Sequence, residues 1–378
     1  MDNLTHSLVG LTAARAGLER MSPLATLTCV LAANAPDADI VALAGGPSFY
    51  LEHHRGITHS LVGTFALGLL LPALVWGCER LYARRRGRAP AANFKGLLIC
   101  SLLLAASHPL LDWTNSYGVR PWQPWDSSWY YGDLVFIMDP YLWLVLGGAA
   151  FLASPGRGWR VSGWALLAVA LSAALVWLPG RAGLSLPAWT YAVWFGGLCL
   201  AAAARLLKKG GRWGGAVPAT ALAFVVIYWG ALSVFHRRAF EAAREAAEGL
   251  ASGRGERVQR VAAMPTLADP TVWLCAAETD AATFRYELTL GRPTTTEELG
   301  RVLRVEKPPP SERPLLAEAE SDERVRVLLD FARFPVVRLG RNCAGETVAR
   351  FADLRYTAPG ETGRGGNFSV EVPVSGGR

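Results

Sequence analysis

Charged side chains are in short supply, with Asp, Glu, Lys and Arg making up 18% of 378 residues, against roughly 25% in soluble domains. The shortage falls before residue 235, where one apolar run follows another; beyond it Arg and Glu become frequent and long apolar stretches stop. Other absences narrow the function. The six cysteines include no CxxC pair, which disfavours thiolate zinc binding. There is no GxSxG and no P-loop, so the nucleophile elbow and the common phosphate cradle are both excluded. The net charge of +7 is not laid out as a stripe of Lys and Arg interleaved with aromatics, so nucleic acid is not an expected partner. Met1-Asp2-Asn3 lacks the basic start of a cleaved signal peptide, and the first apolar run is expected to be retained.

What is present is a membrane pattern. A spanning helix needs about 20 mostly apolar residues, and six stretches qualify: Ile57–Cys78, Phe94–Trp113, Leu134–Ala153, Trp159–Leu178, Leu186–Leu207 and Ala216–Phe235. Two shorter pieces, Leu4–Leu18 and Leu24–Ala35, precede them as a helical hairpin broken at Ser22-Pro23. The predicted architecture is an α-helical polytopic membrane domain over 1–235, followed by a small β-rich or α+β soluble domain over 236–378. In the second part His236–Leu250 reads as a charged amphipathic helix. Val272–Ala276, Phe284–Leu290, Val325–Phe331, Thr347–Phe351 and Asn367–Val374 have strand-like content. Cys29, Cys78, Cys100 and Cys199 lie in apolar runs as packing residues, while Cys275 and Cys343 could pair if their domain is outside the cytoplasm.

Loop charges orient the spans. Arg80, Arg84, Arg85, Arg86, Arg88 and Lys95 fill one gap, Arg157 and Arg160 a second, and Arg205, Lys208, Lys209 and Arg212 a third. Alternation puts these gaps on one side, and the positive-inside rule makes that side cytoplasmic. The opposite loop Tyr117–Tyr131 carries Trp122, Trp125, Trp129 and Tyr130, which suits an outer interface. The last span then exits outward, placing the soluble domain on the periplasmic or extracellular side.

Polar residues converge under this topology. His6, Asp37 and Asp39, the Glu52–His59 stretch with His54 and His59, His108 with Asp112, and Asp133 with Asp139 all fall at the outer ends of their segments. Ionisable groups at that depth are costly unless paired, hydrated or bound to metal. His108 and Asp112 are four apart and share a helix face. Pro36 is expected to end the preceding helix and leave Asp37 and Asp39 in an extended turn. Gly56 marks a turn between His54 and His59, with His59 on the helix proper. Imidazoles with carboxylates suit a divalent metal, zinc first, with manganese or iron as substitutes. Asp133 and Asp139 also suit helix caps at Leu134 and Tyr141, and His53 with Glu52 reads as solvated. Arg55 suits either an anionic phosphate or a lipid head group, while Asn115 and Tyr117 suit substrate orientation or support of the ligands.

Four stretches carry a family resemblance: Met1–Ser7, Pro36–Asp39, His54–Ser60 and His108–Gly118. They resemble the YdjM family of bacterial inner-membrane proteins, described as metal-dependent hydrolases. The soluble half adds Phe331–Pro335 and Asp353–Tyr356. More distantly, the helical half is similar to zinc-dependent phospholipase C and the single-strand nucleases of that fold, whose His-x-x-x-Asp pair matches His108 and Asp112. That resemblance implies zinc held by His6, Asp37 or Asp39, His59, His108 and Asp112. A later His-x-x-x-Glu is missing here, so one or two ions are expected rather than three.

The expectation is a membrane-bound metal-dependent hydrolase acting on a lipid or lipid-linked phosphoester at the outer surface, with Asp37 or Asp39 accepting a proton. The competing expectation is a structural metal that braces helices in a non-enzymatic protein. A transporter is disfavoured, because coupling groups there sit near the midplane within repeats.

Overall fold

The computed structural model describes every residue except 157, 182, 208–212, 296–298, 362–367 and 376–378. Arg157, Lys208, Lys209 and Arg212, used above to orient the spans, lie outside the described residues. The chain forms two compact units. The first holds Met1–Ala38, Arg55–Ser233 and Thr266–Pro270; the second holds Asp39–His54, Val234–Pro265 and Thr271–Arg378.

The first unit is helical. Helix α1 (Asn3–Ala16) starts on Asp2, whose carboxylate accepts the Thr5 N–H, and α2 (Ala25–Asn34) packs against it. In the second unit, a short α3 (Pro47–His53) follows within the Asp39–His54 segment. Back in the first unit, α4 (Leu61–Arg85) begins on the Ser60 cap and α5 (Phe94–Trp113) on the Asn93 cap. Both caps satisfy a first-turn N–H that would otherwise be orphaned. Helices α6 (Pro140–Ala153), α7 (Gly158–Arg181), α8 (Ala188–Leu207) and α9 (Ala216–Ser252) complete the helical series. α5 packs against both α2 and α4, α1 against α2 and α6, and α8 against α6. The core joins Leu8, Cys29, Cys100, Leu104, Leu111, Leu142 and Leu146, whereas α7 buries only Leu175 and Pro179.

Among the described residues six helices are long and apolar enough to span, but their membership differs from the expected set. Ala25–Gly45 joins it, because a 3-10 stretch over Ala35–Gly45 prolongs α2. Leu134–Ala153 leaves it. Pro140 occupies the first helical turn behind the Asp139 cap, and Leu134 and Val135 donate their N–H groups to the Thr114 carbonyl instead. The remaining 14-residue helix is about 21 Å long at ~1.5 Å per residue, short of a ~30 Å core. The last helix overshoots its expected end at Phe235 and runs to Ser252.

Described by itself, the second unit holds two antiparallel sheets. The first takes the order β1 (Val258–Thr266), β2 (Asp269–Thr279), β3 (Ala282–Thr289), β4 (Gly300–Glu306). The second is β5 (Pro335–Arg341), β6 (Thr347–Asp353), β7 (Ser369–Pro373). Between them lie α10 (Arg313–Glu320) and α11 (Glu323–Phe331). The strand expected at Val325–Phe331 is therefore a helix. Asp322 caps it, and Val325, Leu328 and Phe331 are buried at a spacing of three, a helical stripe rather than a strand face. α3 packs on α11, so residues 39–54 belong to this unit although they are encoded inside the first.

Cys275 and Cys343 do not pair: both are free, Cys275 buried in the β2 core and Cys343 exposed. Burial, helped by nearby Glu287, pushes the Cys275 thiol well up, which suppresses its thiolate. In the folded protein a maleimide should modify Cys343 and spare Cys275 until denaturant is added, as read by peptide mass mapping. A Cys275–Cys343 crosslinked peptide under non-reducing conditions would contradict this.

Close backbone approaches set the first unit's geometry. At Gly63 an added Cβ would lie 1.8 Å from the Ile57 carbonyl oxygen, whereas at Gly77 on the same helix nothing lies within 4 Å. Gly63→Ala should lower stability by about 1–3 kcal/mol as an overpacked site, while Gly77→Ala should leave the melting temperature unchanged or slightly raised. Thermal melts of both variants in detergent check the contrast.

Candidate metal centre

Three helical segments of the first unit bring four side chains to one point. Asp37 comes from the 3-10 stretch after α2, His59 from the 3-10 turn Ile57–His59, and His108 and Asp112 from successive turns of α5. His59, His108 and Asp112 are fully buried, and the Asp37 side chain is 14% exposed. The Nε2 atoms of His59 and His108 are 3.1 Å apart. Asp37 Oδ1 is 3.4 Å from each of them. Asp112 Oδ2 lies 3.2 Å from His59 Nε2 and 3.5 Å from His108 Nε2. A tetrahedral ion bound at ~2.0–2.1 Å separates its ligand atoms by roughly 3.3 Å, and these five separations match the edges of that tetrahedron.

The donor chemistry agrees. His108 Nδ1 is 2.7 Å from the Ala33 carbonyl. A carbonyl only accepts, so Nδ1 carries the proton and neutral His108 presents the Nε2 lone pair to the group. Asp112 Oδ2 is buried and accepts no well-aligned hydrogen bond, with the Arg55 guanidinium as its ion-pair partner at 3.1 Å. A buried carboxylate oxygen left in that state, facing two imidazole nitrogens, suits a cation between them. The residues present therefore fit a divalent metal.

Around the four stand groups that a search by residue type passes over. Asn3 Nδ2 donates to Asp37 Oδ2 at 2.8 Å, and the α-amino group of Met1 pairs with Asp112 Oδ1. Thr58 Oγ1 lies 3.0 Å from His59 Nδ1. Asn3 is an uncharged amide and Ala33 acts through its backbone, so neither residue type flags a metal site. The one available signal was that Asn3 precedes His6 by three and shares its helix face.

The remaining candidates separate. His6 stacks on His108, with ring centroids 3.7 Å apart, and places Nε2 3.3 Å from Asp112 Oδ1, beside the tetrahedral group rather than in it. Asp37 and Asp39 do not share an extended turn. The chain is 3-10 there rather than extended. Asp39 pairs with His54 at 3.0 Å in the second unit. His59 precedes the helix proper, because Ser60 is the α4 cap. Asp139 is a cap, accepting from Tyr141 N, Leu142 N and the Tyr228 hydroxyl. Asp133 is buried at φ 51° and caps no helix at Leu134, and neither aspartate joins the four among the described residues. His53 and Glu52 are exposed. Asn115 accepts from Arg55 at 3.0 Å, and the Tyr117 ring lies under the Arg55 guanidinium. Arg55 itself is 2% exposed and held at φ 56°, a left-handed conformation costing a non-glycine residue about 1–2 kcal/mol.

The described geometry sits within the part of the chain that has known relatives. Residues 1–181 match the family model described as YdjM inner membrane protein. A Bacillus subtilis (strain 168) protein, the uncharacterized YfhP, is 27% identical over 154 residues, covering 38% of this chain and 43% of that protein. The matched stretch thus spans less than half the length of the curated relative. No solved structure matches the chain. The chain thus has six helices long and apolar enough to cross a membrane among its described residues, and its first 181 residues, which carry the four-residue group, are similar to the YdjM inner membrane protein family.

Proposed function

We propose that the protein is a membrane-bound metal-dependent hydrolase, with zinc held by Asp37, His59, His108 and Asp112 and a phosphoester of a lipid or lipid-linked molecule as substrate. The observation that carries this reading is the tetrahedral spacing of four donors, three fully buried and one, Asp37, reachable from outside. A bound divalent ion would supply Lewis acidity toward water and toward the phosphoryl oxygen. The chain's own groups do the rest. His108 is locked in one tautomer by Ala33. Asp37 keeps Oδ2 on the Asn3 amide, and that oxygen takes the proton released from the attacking water. The apolar helices around the buried donors exclude bulk water and so strengthen each electrostatic contact. Asp39, held by His54, is left out of the proton path.

A lipid substrate is favoured by the aromatic loop that follows α5. Trp122 and Trp125 are 49% and 77% exposed, and such rings settle at head-group depth. We place this loop, the site and the second unit on the outer side, an orientation that needs the chain to cross between Leu134 and Ala153 even though the helix there has only 14 residues. In a variant carrying Cys78→Ser and Cys199→Ser, an impermeant maleimide applied to spheroplasts should label Cys343; labelling only after lysis would reverse the orientation.

One observation favours a second reading. Four protein donors are the complement of a closed structural zinc site, whereas catalytic sites keep a position open. Metal analysis and phosphodiester assays on detergent-purified protein separate the two. The hydrolase reading expects stoichiometric metal, hydrolysis of soluble and lipid phosphodiesters that a chelator abolishes, and a loss of at least ~100-fold in His108→Ala and Asp112→Ala. Full activity in those variants would sink the site. Bound metal with no hydrolysis of either substrate class, and a melting temperature that drops on chelation, would establish the structural role.

A further inference from the structure

Arg55 stands beside the proposed metal ligands and has the charge expected of an anion-binding group, yet its surroundings point elsewhere. Its guanidinium is enclosed by protein. Nε lies 3.1 Å from Asp112 Oδ2. Nη1 donates to Asn115 Oδ1 at 3.0 Å, to the Gly118 carbonyl at 3.3 Å and, more distantly, to the Asp112 carbonyl at 3.4 Å. The Tyr117 ring centroid is 4.7 Å from its central carbon. A substrate phosphate approaching this fork would meet a guanidinium already engaged by Asp112 and Asn115.

The position of Asp112 explains why a cation is needed there. It occupies the last turn of α5, which ends at Trp113. Carbonyls converge at a helix C-terminus, and the macrodipole disfavours a carboxylate at that end. A planar cation with several fixed donors answers both problems together, pairing with the carboxylate while meeting carbonyls at the helix end and just beyond it.

We propose that Arg55 is a positioning residue. It fixes the Asp112 carboxylate so that Oδ2 faces His59 and His108, and Asn115 acts through Arg55 by fixing the guanidinium. This rests on reading the four-residue group as a metal centre and goes beyond that reading by assigning the groups that orient one ligand. The left-handed backbone at Arg55 fits the same role, since strained conformations persist where surrounding contacts over-determine them.

The test uses full-length protein in detergent and two readouts independent of turnover: zinc affinity by competition with a chromophoric chelator, and the visible spectrum of the cobalt-substituted protein. Arg55→Ala should weaken zinc binding by about 10–100-fold and shift the cobalt bands. Arg55→Lys should fall between wild type and Arg55→Ala, keeping the charge but losing the fork. Asn115→Ala should weaken binding less, and the double variant should bind no more weakly than Arg55→Ala alone. If Arg55→Ala fails to fold, Arg55→Lys and Asn115→Ala carry the test through their own affinities and spectra. Wild-type zinc affinity and cobalt spectra in the Arg55 variants, with only the KM for an anionic substrate raised, would overturn the inference and leave the metal centre standing. Additive losses in the double variant would overturn the role of Asn115. A wild-type protein that binds no divalent ion would overturn the metal centre and this inference together.

Discussion

A carboxylate cannot remain ionised at the dry, electronegative end of a helix unless positive partners surround it, and Asp112 is in that position. It lies in the last turn of α5, fully buried, and the groups that meet it come from distant parts of the first unit. The Met1 amino group and His6 arrive on Oδ1, with His59, His108 and Arg55 on Oδ2. Removing this one charge would leave the buried Arg55 guanidinium and Met1 amino group without the carboxylate they share, which is the costly way to break a buried pair. The start of the chain with α1, the Arg55–His59 turn before α4 and α5 itself are therefore held to one point by a single side chain.

How much of this was legible in the sequence follows from what each feature depends on. His108 and Asp112 were readable as a pair because their helix is long and regular, and a spacing of four has one meaning on such a helix. That Asp37 and Asp39 lie in a 3-10 stretch rather than an extended turn is revealed by neither residue type nor spacing. Residue type alone does not show that Ser60 caps α4 and leaves His59 just outside the helix. The run Val325-Arg326-Val327 alternates as a strand would, yet its buried positions recur every third residue once Asp322 starts a helix. The apolar run from Leu134 concealed the Asp139-Pro140 start, a cap followed by a first-turn proline, which sets the true boundary.

The supporting groups show a different kind of limit. Ala33 contributes a carbonyl, Asn3 an amide and Met1 its amino group. None belongs to the residue types from which metal sites are sought, yet the Ala33 carbonyl fixes the tautomer of His108 and Asn3 ties down Asp37. The chemistry of a buried ligand set resides as much in such neutral neighbours as in the ligands.

The reciprocal loan of chain between the two units has a consequence for synthesis. Residues 39–54 are made early but pack in a unit whose main body begins at Val234. The 179 residues between them take on the order of ten seconds or more to translate. Asp37, His59, His108 and Asp112 all precede Trp113, so the ligand set can close while the intervening sixteen-residue loop still waits for its partner. The hairpin tip Thr266–Pro270, where the Ala268 carbonyl accepts from Tyr141 and Thr190, closes the exchange in the other direction. The two halves of this protein are consecutive in the gene but not in assembly, and a cut at their apparent boundary would leave each without a piece of itself.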